Sequence, residues 1–390
     1  MNKYSIVFVS NFFNHHQKYL SDAFYELTGG NYYFIETMPI SKERLSMGWG
    51  GNGNPGYVKQ NYTSVSAEKE CQKIINDADV VIFGSAPNEL IAQRIKEKKL
   101  VFRYSERPLK KKLPLYKYPK WLYVLHRLNP FRAKMYLLCA SAYTAADYAK
   151  FALFGNKCYK WGYFPEAKRY EETEEIISSK KKNSILWVGR FLTLKHPDAA
   201  IRAAKKLKEN GYKFELNIIG TGAMEQELKK VISDYNLENE VHMLGSMKPE
   251  QVREYMEQSQ IYLFTSDRNE GWGAVLNESM NSACAVVASH EIGSVPFLLK
   301  DGKNGFIYKD GDEEDLYQKV KLLLDKPDLC RQYGSSAYST IVNKWSAETA
   351  AERFIELAES ILSGNNRPDL FNDGPCSKAY ALKDNWYKDN

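Results

Sequence analysis

Two glutamates, Glu270 and Glu278, lie eight residues apart on either side of a Gly-Trp-Gly turn. An apolar run that reads as a strand, 261–264, precedes them, and a helix-like run begins at Ala274. Glu270 is therefore expected in a loop and Glu278 in the first turns of a helix. Free backbone N–H groups at such a helix start can bind an anion. The carboxylates can accept hydrogen bonds from sugar hydroxyls, so the segment indicates a site for a nucleotide-activated sugar. The alternative for Glu278 is a residue that only complements the helix dipole.

Two further loops follow predicted strands in this half of the chain. Gly189, Arg190 and Lys195 come after an apolar run at 184–188. The two basic side chains can converge on one diphosphate, Arg as a fork and Lys as a point charge. Solvent exposure without a ligand is the alternative. Next along the chain, the Gly-Thr-Gly turn at 220–222 lacks the third glycine of a dinucleotide fingerprint, which disfavours a dinucleotide site.

Composition narrows the class of protein. The chain has 390 residues, enough for two or three domains, and 44% of them are hydrophobic. No run of about 18 apolar residues is present, so no transmembrane helix is predicted. Six scattered cysteines without a Cys-x-x-Cys pair indicate a reduced, cytoplasmic protein and disfavour a zinc site.

The charge is unevenly distributed. The net charge is +6, yet residues 94–134 hold fourteen Lys and Arg against two Glu. Trp, Tyr and Leu lie among these basic residues, as is typical of a segment that binds an anionic membrane surface. A solvated helical face explains the pattern equally well. Nucleic acid is disfavoured because no recognition motif accompanies the charge.

Strand and helix patterns alternate along most of the chain, which predicts an α/β fold with parallel sheets. The pattern restarts near residue 184 after a polar linker. We therefore expect two Rossmann-like domains, 1–165 and 184–344, facing across a cleft. An amphipathic helix at 347–362 lies within a terminal segment, 345–390, that is expected to pack back on the first domain.

At this point the second domain resembles the family 4 glycosyltransferases, the retaining group with the GT-B fold. Similarity extends over about 184–325, and the last helices of the chain also resemble the family's. The matching residues are Val188-Gly189-Arg190 with Lys195, Ile219 to Gly222, Leu244-Gly245, the Glu-x7-Glu motif from Glu270 to Glu278, and Asn304-Gly305-Phe306 after Asp301-Gly302.

The resemblance implies that the second domain binds a nucleotide-sugar donor. Arg190 and Lys195 would neutralise the departing diphosphate, Glu278 would hold the ribose and Glu270 the sugar. Catalysis is thus assigned to Glu270, Arg190 and Lys195, with neither metal nor cofactor required. The remaining donor-binding candidates are Gly189, Gly220, Gly222, Gly271, Trp272, Gly273 and Ala274.

The first domain departs from the family pattern. Where many members carry a His after a later strand, this chain has Arg103-Tyr104-Ser105-Glu106-Arg107. For Glu106, pairing with Arg103 or Arg107 is as good an interpretation as ligand contact. For Ser10 and Asn11, capping the start of a helix is the alternative to a place in the cleft. The acceptor-side candidates are Asn11, His15, His16, Glu106 and Arg107.

These observations predict a retaining glycosyltransferase. It would move a hexose from a UDP- or GDP-sugar to a glycan or lipid-linked acceptor in surface polysaccharide biosynthesis. The expected location is the cytoplasm, at the inner face of the membrane. Two alternatives stay open, a sugar-nucleotide epimerase of the same architecture and a non-catalytic protein that binds sugar nucleotides or glycans.

Overall fold

The computed structural model describes residues 4–42, 53, 55–111, 113–365, 369–383 and 385–388. The chain divides into two compact units. One comprises Met1–Glu166 and Trp345–Leu382, and the other comprises Ala167–Lys344 and Lys383–Asn390. Of the Gly-rich loop at 48–56, only Gly53, Pro55 and Gly56 belong to the described residues.

The first unit is built on a seven-stranded parallel sheet with the strand order β3-β2-β1-β4-β5-β6-β7. Its strands are β1 (Ile6–Ser10), β2 (Tyr32–Glu36), β3 (Val58–Gln60), β4 (Val80–Phe83), β5 (Leu100–Ser105), β6 (Met135–Cys139) and β7 (Cys158–Lys160). Its helices are α1 (His15–Leu27), α2 (Val65–Asp77), α3 (Ala92–Lys96), α4 (Tyr118–Leu128) and α5 (Thr144–Ala149), with short 3₁₀ turns at Asn88–Ile91 and Leu115–Lys117.

The second unit contains a six-stranded parallel sheet with the order β10-β9-β8-β11-β12-β13. Its strands are β8 (Lys181–Val188), β9 (Glu215–Ile219), β10 (Val241–Gly245), β11 (Ser259–Phe264), β12 (Ala285–Ser289) and β13 (Phe306–Tyr308). Its helices are α6 (Thr173–Ser178), α7 (Pro197–Glu209), α8 (Glu225–Asp234), α9 (Pro249–Gln258), α10 (Val275–Asn281), α11 (Val295–Leu298), α12 (Glu313–Asp325) and α13 (Pro327–Lys344). Short 3₁₀ turns form at Thr193–Lys195 and Trp386–Lys388.

The central strands are largely apolar because helices cover both faces of each sheet. Every residue of β1, β4 and β12 is buried, for example. In both sheets the strand order reverses beside the first strand, between β1 and β4 and between β8 and β11. Loops diverge at the carboxyl ends of these strands, where open α/β sheets bind ligands. The predicted α/β class with two parallel-sheet domains is thus confirmed.

The last long helix, α14 (Ala347–Leu362), returns to the first unit as expected. Its Phe354 ring lies 5.4 Å from Phe24 of α1, 4.8 Å from Phe102 of β5 and 5.7 Å from Trp161, measured between ring centroids. Such aromatic contacts bury large apolar areas. This helix therefore completes the core of the first unit, although it lies far along the chain from the other elements of that unit.

The unit boundaries differ from the expected ones at two places. The second unit begins at Ala167 rather than 184. In that linker, Ile176 and Ile177 of α6 pack with Tyr338 and Val342 of α13. At the other end, the ring of Tyr387 lies 4.2 Å from that of His290. The terminal 3₁₀ turn thus belongs to the second unit.

Candidate active site

The loop after β8 and the loop after β11 are fastened together in the second unit. Thr265 Oγ1 accepts a hydrogen bond from Trp187 Nε1 at 2.8 Å and donates to the Lys195 carbonyl at 2.7 Å. The backbone N–H of Asp267 donates to the Leu194 carbonyl at 2.9 Å. All these groups are at the reversal point of the strand order. The backbone therefore holds the two loops in fixed register at the edge where a ligand is expected.

Within this pair of loops, Lys195 Nζ forms a short ion pair with a carboxylate oxygen of Glu270. The two side chains are only 17% and 13% exposed. Next to them, His196 Nε2 lies 3.5 Å from Asp267 Oδ2. Two residues predicted to act on one ligand are thus in direct contact, although 75 positions separate them.

Arg190, the third predicted catalytic residue, is exposed in the same loop. Its guanidinium makes no ion pair or hydrogen bond with the part of the chain described here. The predicted basic pair therefore has one member already neutralised, Lys195, and one exposed to solvent.

Glu278 is the fourth residue of α10, as predicted, and is half-buried. Burial raises the pKa of its carboxyl group, and the nearby charge of Arg253 partly opposes that rise. The carboxylate makes no hydrogen bond or ion pair with any described side chain or backbone group. A carboxyl group in such surroundings keeps its acceptor capacity for a ligand.

Gly220 and Gly222 have a packing reason to be glycine. A Cβ on Gly220 would lie 1.8 Å from the Gly189 carbonyl oxygen, and one on Gly222 would lie 2.6 Å from the Phe191 carbonyl oxygen. Their φ angles of +148° and +155° also exclude ordinary side chains. The two glycines therefore bring the turn after β9 against the loop after β8.

The turn between the two glutamates has mixed accessibility. The Trp272 ring is fully buried, and its Nε1 donates to Asn277 Oδ1 at 2.8 Å. Its side chain therefore serves the core, and any ligand contact would come from its backbone. The N–H groups of Gly271, Gly273 and Ala274 take no part in the backbone hydrogen bonds of the described residues.

The first unit holds a polar cavity of about 510 Å³ at the carboxyl ends of β1, β4 and β5. It lies at the reversal point of its own sheet. The side chains that line it are mostly able to donate or accept hydrogen bonds, as is typical of a binding site for a hydroxyl-rich or charged molecule. They include Ser10, Asn11, His16, Gln17, Ser85, Arg103, Ser105, Glu106, Arg107, Lys110, Tyr148 and Tyr163.

Four of the five acceptor-side candidates line this cavity, namely Asn11, His16, Glu106 and Arg107. His15 is not among the lining residues, but its ring lies 3.9 Å from that of His16. Helix α1 is capped by Asn14, which accepts a hydrogen bond from the His16 backbone N–H at 2.8 Å. The alternative reading of Ser10 and Asn11 as caps is therefore wrong.

His16 is held in its neutral form. Burial, and then the neighbouring charge of His15, lower the pKa of His16 to about 3. Its ring stacks on that of Tyr163 with 5.7 Å between centroids. A neutral imidazole can both donate to and accept from a ligand hydroxyl.

Glu106 pairs with neither Arg103 nor Arg107, so that interpretation is corrected. Its Oε2 accepts from Lys110 Nζ at 2.7 Å and its Oε1 from the Tyr163 hydroxyl at 2.6 Å. The reason is a turn after β5 that brings the residue four positions later back over the carboxylate.

Arg107 is buried and has its own carboxylate. Its Nε lies 3.3 Å from Asp147 Oδ2, and its guanidinium covers the ring of Tyr143 at 4.7 Å. Asp147 also accepts from the Leu109 backbone N–H at 3.0 Å. Arg107 therefore contributes to the wall of the cavity mainly by fixing the loop after β5.

Arg103 also lines the cavity, although it is not among the site residues predicted from the sequence. It lies in the central strand β5, and only 9% of its surface is exposed. An arginine inside an apolar strand was the available signal, because a buried guanidinium requires specific partners.

The basic segment 94–134 does not form one surface. Arg94 is buried and donates to the backbone carbonyls of Ile75, Ala78 and Leu100 at 2.6–2.8 Å. Arg103 and Arg107 are buried as well. Burial therefore removes these three charges from the predicted basic face. The exposed remainder is concentrated on α4 and its flanks.

The described residues contain no group of three or more His, Cys, Asp or Glu side chains arranged to hold a metal ion. No helix among them has the length and apolar character needed to cross a membrane. The six cysteines are buried free thiols.

Residues 169–340 match the family model described as glycosyl transferases group 1. The chain is 28% identical over 196 residues to poly(ribitol-phosphate) alpha-N-acetylglucosaminyltransferase of Staphylococcus aureus (strain COL), covering 50% of this chain and 37% of the relative. It is 34% identical over 137 residues to the amylovoran biosynthesis glycosyltransferase AmsK of Erwinia amylovora, covering 34% of this chain and 33% of the relative. The chain thus spans about a third of the length of these two curated relatives.

Solved structures extend the similarity of fold to nearly the whole chain. Anabaena HepE, solved in complex with UDP, has a TM-score of 0.69 at 15% identity, covering 92% of this chain and 100% of that one. A glycosyltransferase from Rickettsia africae ESF-5 has a TM-score of 0.67 at 16% identity, covering 93% and 99%. The chain has the GT-B fold, and its residues 169–340 are similar to the group 1 glycosyl transferases.

Proposed function

We propose that this chain is a retaining glycosyltransferase that transfers a hexose from a UDP- or GDP-sugar to a glycan or lipid-linked acceptor of surface polysaccharide. The observation that carries the proposal is the Lys195–Glu270 pair. It joins the two loops at the strand-order reversal of the sheet whose sequence matches the glycosyltransferase family. Ligands of open α/β sheets bind at this position.

The donor would engage both members of the pair. Lys195, with the exposed Arg190, would hold the diphosphate and neutralise its charge as the bond to the sugar breaks. Electrostatic stabilisation of this kind is usually the largest contribution to catalysis. Glu270 would then accept hydrogen bonds from the sugar, and Glu278 from the ribose. The backbone of the three glycine-bearing turns would supply the remaining contacts, at Gly189, Gly220, Gly222, Gly271, Trp272, Gly273 and Ala274.

The proposed reaction retains the configuration at the anomeric carbon. The bond from that carbon to the diphosphate oxygen breaks, and an acceptor hydroxyl attacks from the same face. Its proton passes to the departing phosphate oxygen. An oxocarbenium-like species forms briefly between the two events. The described side chains supply positive charge at the leaving group through Lys195 and Arg190, and we propose that neither a metal nor a cofactor is needed.

The relatives support the choice of substrates. Anabaena HepE was solved with UDP, and separately with UDP and glucose. One Campylobacter jejuni relative, 31% identical over 157 residues, is named for an acceptor on diphospho-undecaprenol. We therefore propose a UDP-sugar as the first donor to test. The cavity of the first unit would receive the acceptor through Asn11, His16, Glu106 and Arg107, with His15 behind His16.

The test is a panel of UDP- and GDP-sugars screened by thermal shift. A ligand at 100 times its Kd adds about 2.7 kcal/mol of stability. Transfer from the best donor is then measured with the anomeric configuration of the product read by NMR. Lys195→Ala and Glu270→Ala should abolish transfer, while Glu227→Ala on the exposed face of α8 should leave it unchanged.

Other outcomes of that experiment would replace the proposal. An inverted product would contradict retention. An epimerised nucleotide sugar without acceptor product would identify an epimerase. Tight binding without transfer or donor hydrolysis would identify a binding protein.

We further propose that the first unit docks on an anionic membrane at the inner face. Residues 115–132 present large apolar side chains to solvent, including Leu115 at 86% exposure, Tyr123 at 67% and Phe131 at 75%. Lys117, Lys120, Arg127 and Arg132 are exposed among them. Aromatic and basic side chains together suit an anionic lipid interface.

Sedimentation with liposomes tests this docking. Vesicles that contain phosphatidylglycerol should bind the chain more tightly than vesicles of phosphatidylcholine alone. The double variant Leu115→Ser and Phe131→Ser should lose most of that binding. Equal binding to both kinds of vesicle would exclude the docking, and it would leave the proposed transfer reaction untouched.

A further inference from the structure

Arg103 places a guanidinium in the wall of the polar cavity of the first unit. It lies in β5 directly opposite Phe83 of β4, and its charged carbon is 5.3 Å from the centre of the Phe83 ring. Its Nη2 donates to Asn88 Oδ1 at 2.8 Å and to the Leu128 carbonyl at 3.0 Å. Both partners are neutral.

The remaining donors of this guanidinium are unused. The Nε atom is buried without a hydrogen-bond partner, and Nη1 donates to no described group. No carboxylate of the described chain forms an ion pair with Arg103. Burial lowers the pKa of Arg103, and Tyr148 gives the opposing electrostatic effect. A buried charge without a counter-charge is costly for the folded protein.

The other two cations of the cavity wall each have a carboxylate partner. Lys110 has Glu106 at 2.7 Å, and Arg107 has Asp147 at 3.3 Å. The Nη1 of Arg107 is nevertheless also buried without a partner. Among the described residues, the cavity wall therefore holds the guanidinium of Arg103, which has no counter-charge, and a buried N–H donor of Arg107 that has no acceptor.

We propose that the acceptor carries an anionic group, a carboxylate or a phosphate, which Arg103 binds in this cavity. Arginine is suited to both groups because its planar fork can donate two parallel hydrogen bonds. A ligand anion would provide the counter-charge that the described chain does not. The inference rests on the proposed glycosyl transfer and specifies the class of acceptor, an acidic sugar or a sugar phosphate.

Matched pairs of neutral and acidic sugars test the proposal on the full chain. The probes are the methyl glycosides of glucose, galactose and N-acetylglucosamine. The carboxylate arm uses glucuronate and galacturonate, and the phosphate arm uses the three 6-phosphates. Affinities are measured by saturation-transfer NMR at constant ionic strength, with saturating UDP present to fill any donor site.

At least one acidic member should bind at least about tenfold more tightly than its neutral partner, a difference typical of a charge-assisted hydrogen bond. Arg103→Gln should abolish this preference without weakening the neutral sugar. Arg103→Lys should keep part of the preference. Lys96→Gln, which removes an exposed charge outside the cavity, should keep all of it.

Two results would overturn the inference. One is an equal affinity for the neutral and acidic members of every pair in the wild-type chain. The other is a preference that Arg103→Gln leaves intact, which would restrict Arg103 to tethering the end of α4. Thermal stabilisation by UDP-sugars, measured in parallel samples without UDP, separates the two proposals. If a UDP-sugar stabilises the protein but no acidic sugar is preferred, only the acidic acceptor is excluded. If no UDP- or GDP-sugar stabilises the protein, the proposed donor reaction is excluded as well.

Discussion

The Lys195–Glu270 ion pair should contribute measurably to the stability of the second unit. Exposed ion pairs contribute about 0.2–1 kcal/mol, and breaking a fully buried pair costs about 3–5 kcal/mol. With side chains 17% and 13% exposed, this pair lies between the two limits. We expect a coupling energy of about 1–3 kcal/mol between Lys195→Met and Glu270→Gln, within the range for residues in contact.

The measurement is a double-mutant cycle followed by native-state hydrogen exchange of peptides from β8 and β11. Exchange is preferred to a single denaturation curve because two units need not unfold together. Exposed Lys229 and Glu225 on α8, with 2.8 Å between their charged atoms, provide a matched control pair. Their coupling should be about 0.3–0.5 kcal/mol.

Ligand binding extends the same cycle. Each single variant leaves one charge partly buried without its partner, so each should lose stability as well as donor binding. The double variant should recover part of the stability and none of the binding. If Lys195 and Glu270 act independently, the single effects will add within about 0.5 kcal/mol, and the structural reasoning fails.

Two further predictions concern one residue in each unit. Gly220→Ala should destabilise the second unit by about 3 kcal/mol or more, because the new Cβ would lie 1.8 Å from the Gly189 carbonyl oxygen. At Gly311, with φ of +74° and no atom within 4 Å, the same change should cost only about 1–2 kcal/mol in the same exchange experiment. His16 should make the first unit less stable in acid, since its pKa is about 3 in the folded state and near 6.5 when unfolded. The unfolded chain therefore binds the extra proton between those pH values, and stability falls as pH drops below about 6.5, by up to about 2 kcal/mol at pH 5. His16→Gln should remove that contribution, and an unchanged pH dependence of exchange in the first unit would contradict the assigned pKa.

Ten strands were predictable because they are apolar runs bounded by polar turns, as in β1 and β12. Three others escaped prediction, namely β3, β7 and β13. Each is three residues long and lies at a sheet edge. Strands so short carry little periodic signal, and pairing with a neighbour decides their existence.

Helix α4 lies in the basic segment, for which a solvated helical face was one of the two interpretations. The charge of the segment indicated an exposed surface without showing which of its apolar side chains are buried. In the structure the helix buries Leu125 and exposes Leu122 and Tyr123. Local pattern cannot distinguish an apolar side chain that packs on the protein from one that is left for a partner.

The residues of the candidate site were largely available from sequence, but their partners were not. In the sequence, Arg103 and Arg107 lie on either side of Glu106 and could each neutralise it. In the structure, Glu106 pairs with Lys110 instead. The burial of Trp272 likewise depends on how α10 packs. Distinguishing a ligand contact from a packing contact requires the surrounding elements.

By itself, the sequence determined the α/β class, the restart of the pattern in a second domain and the Glu-x7-Glu segment, because these depend on local periodicity and residue type. Only the tertiary structure decided that Lys195 meets Glu270 and that Arg103 has no carboxylate partner among the described residues. Charge pairing depends on distance and on burial. Both are set by how strands far apart in sequence lie together in one sheet.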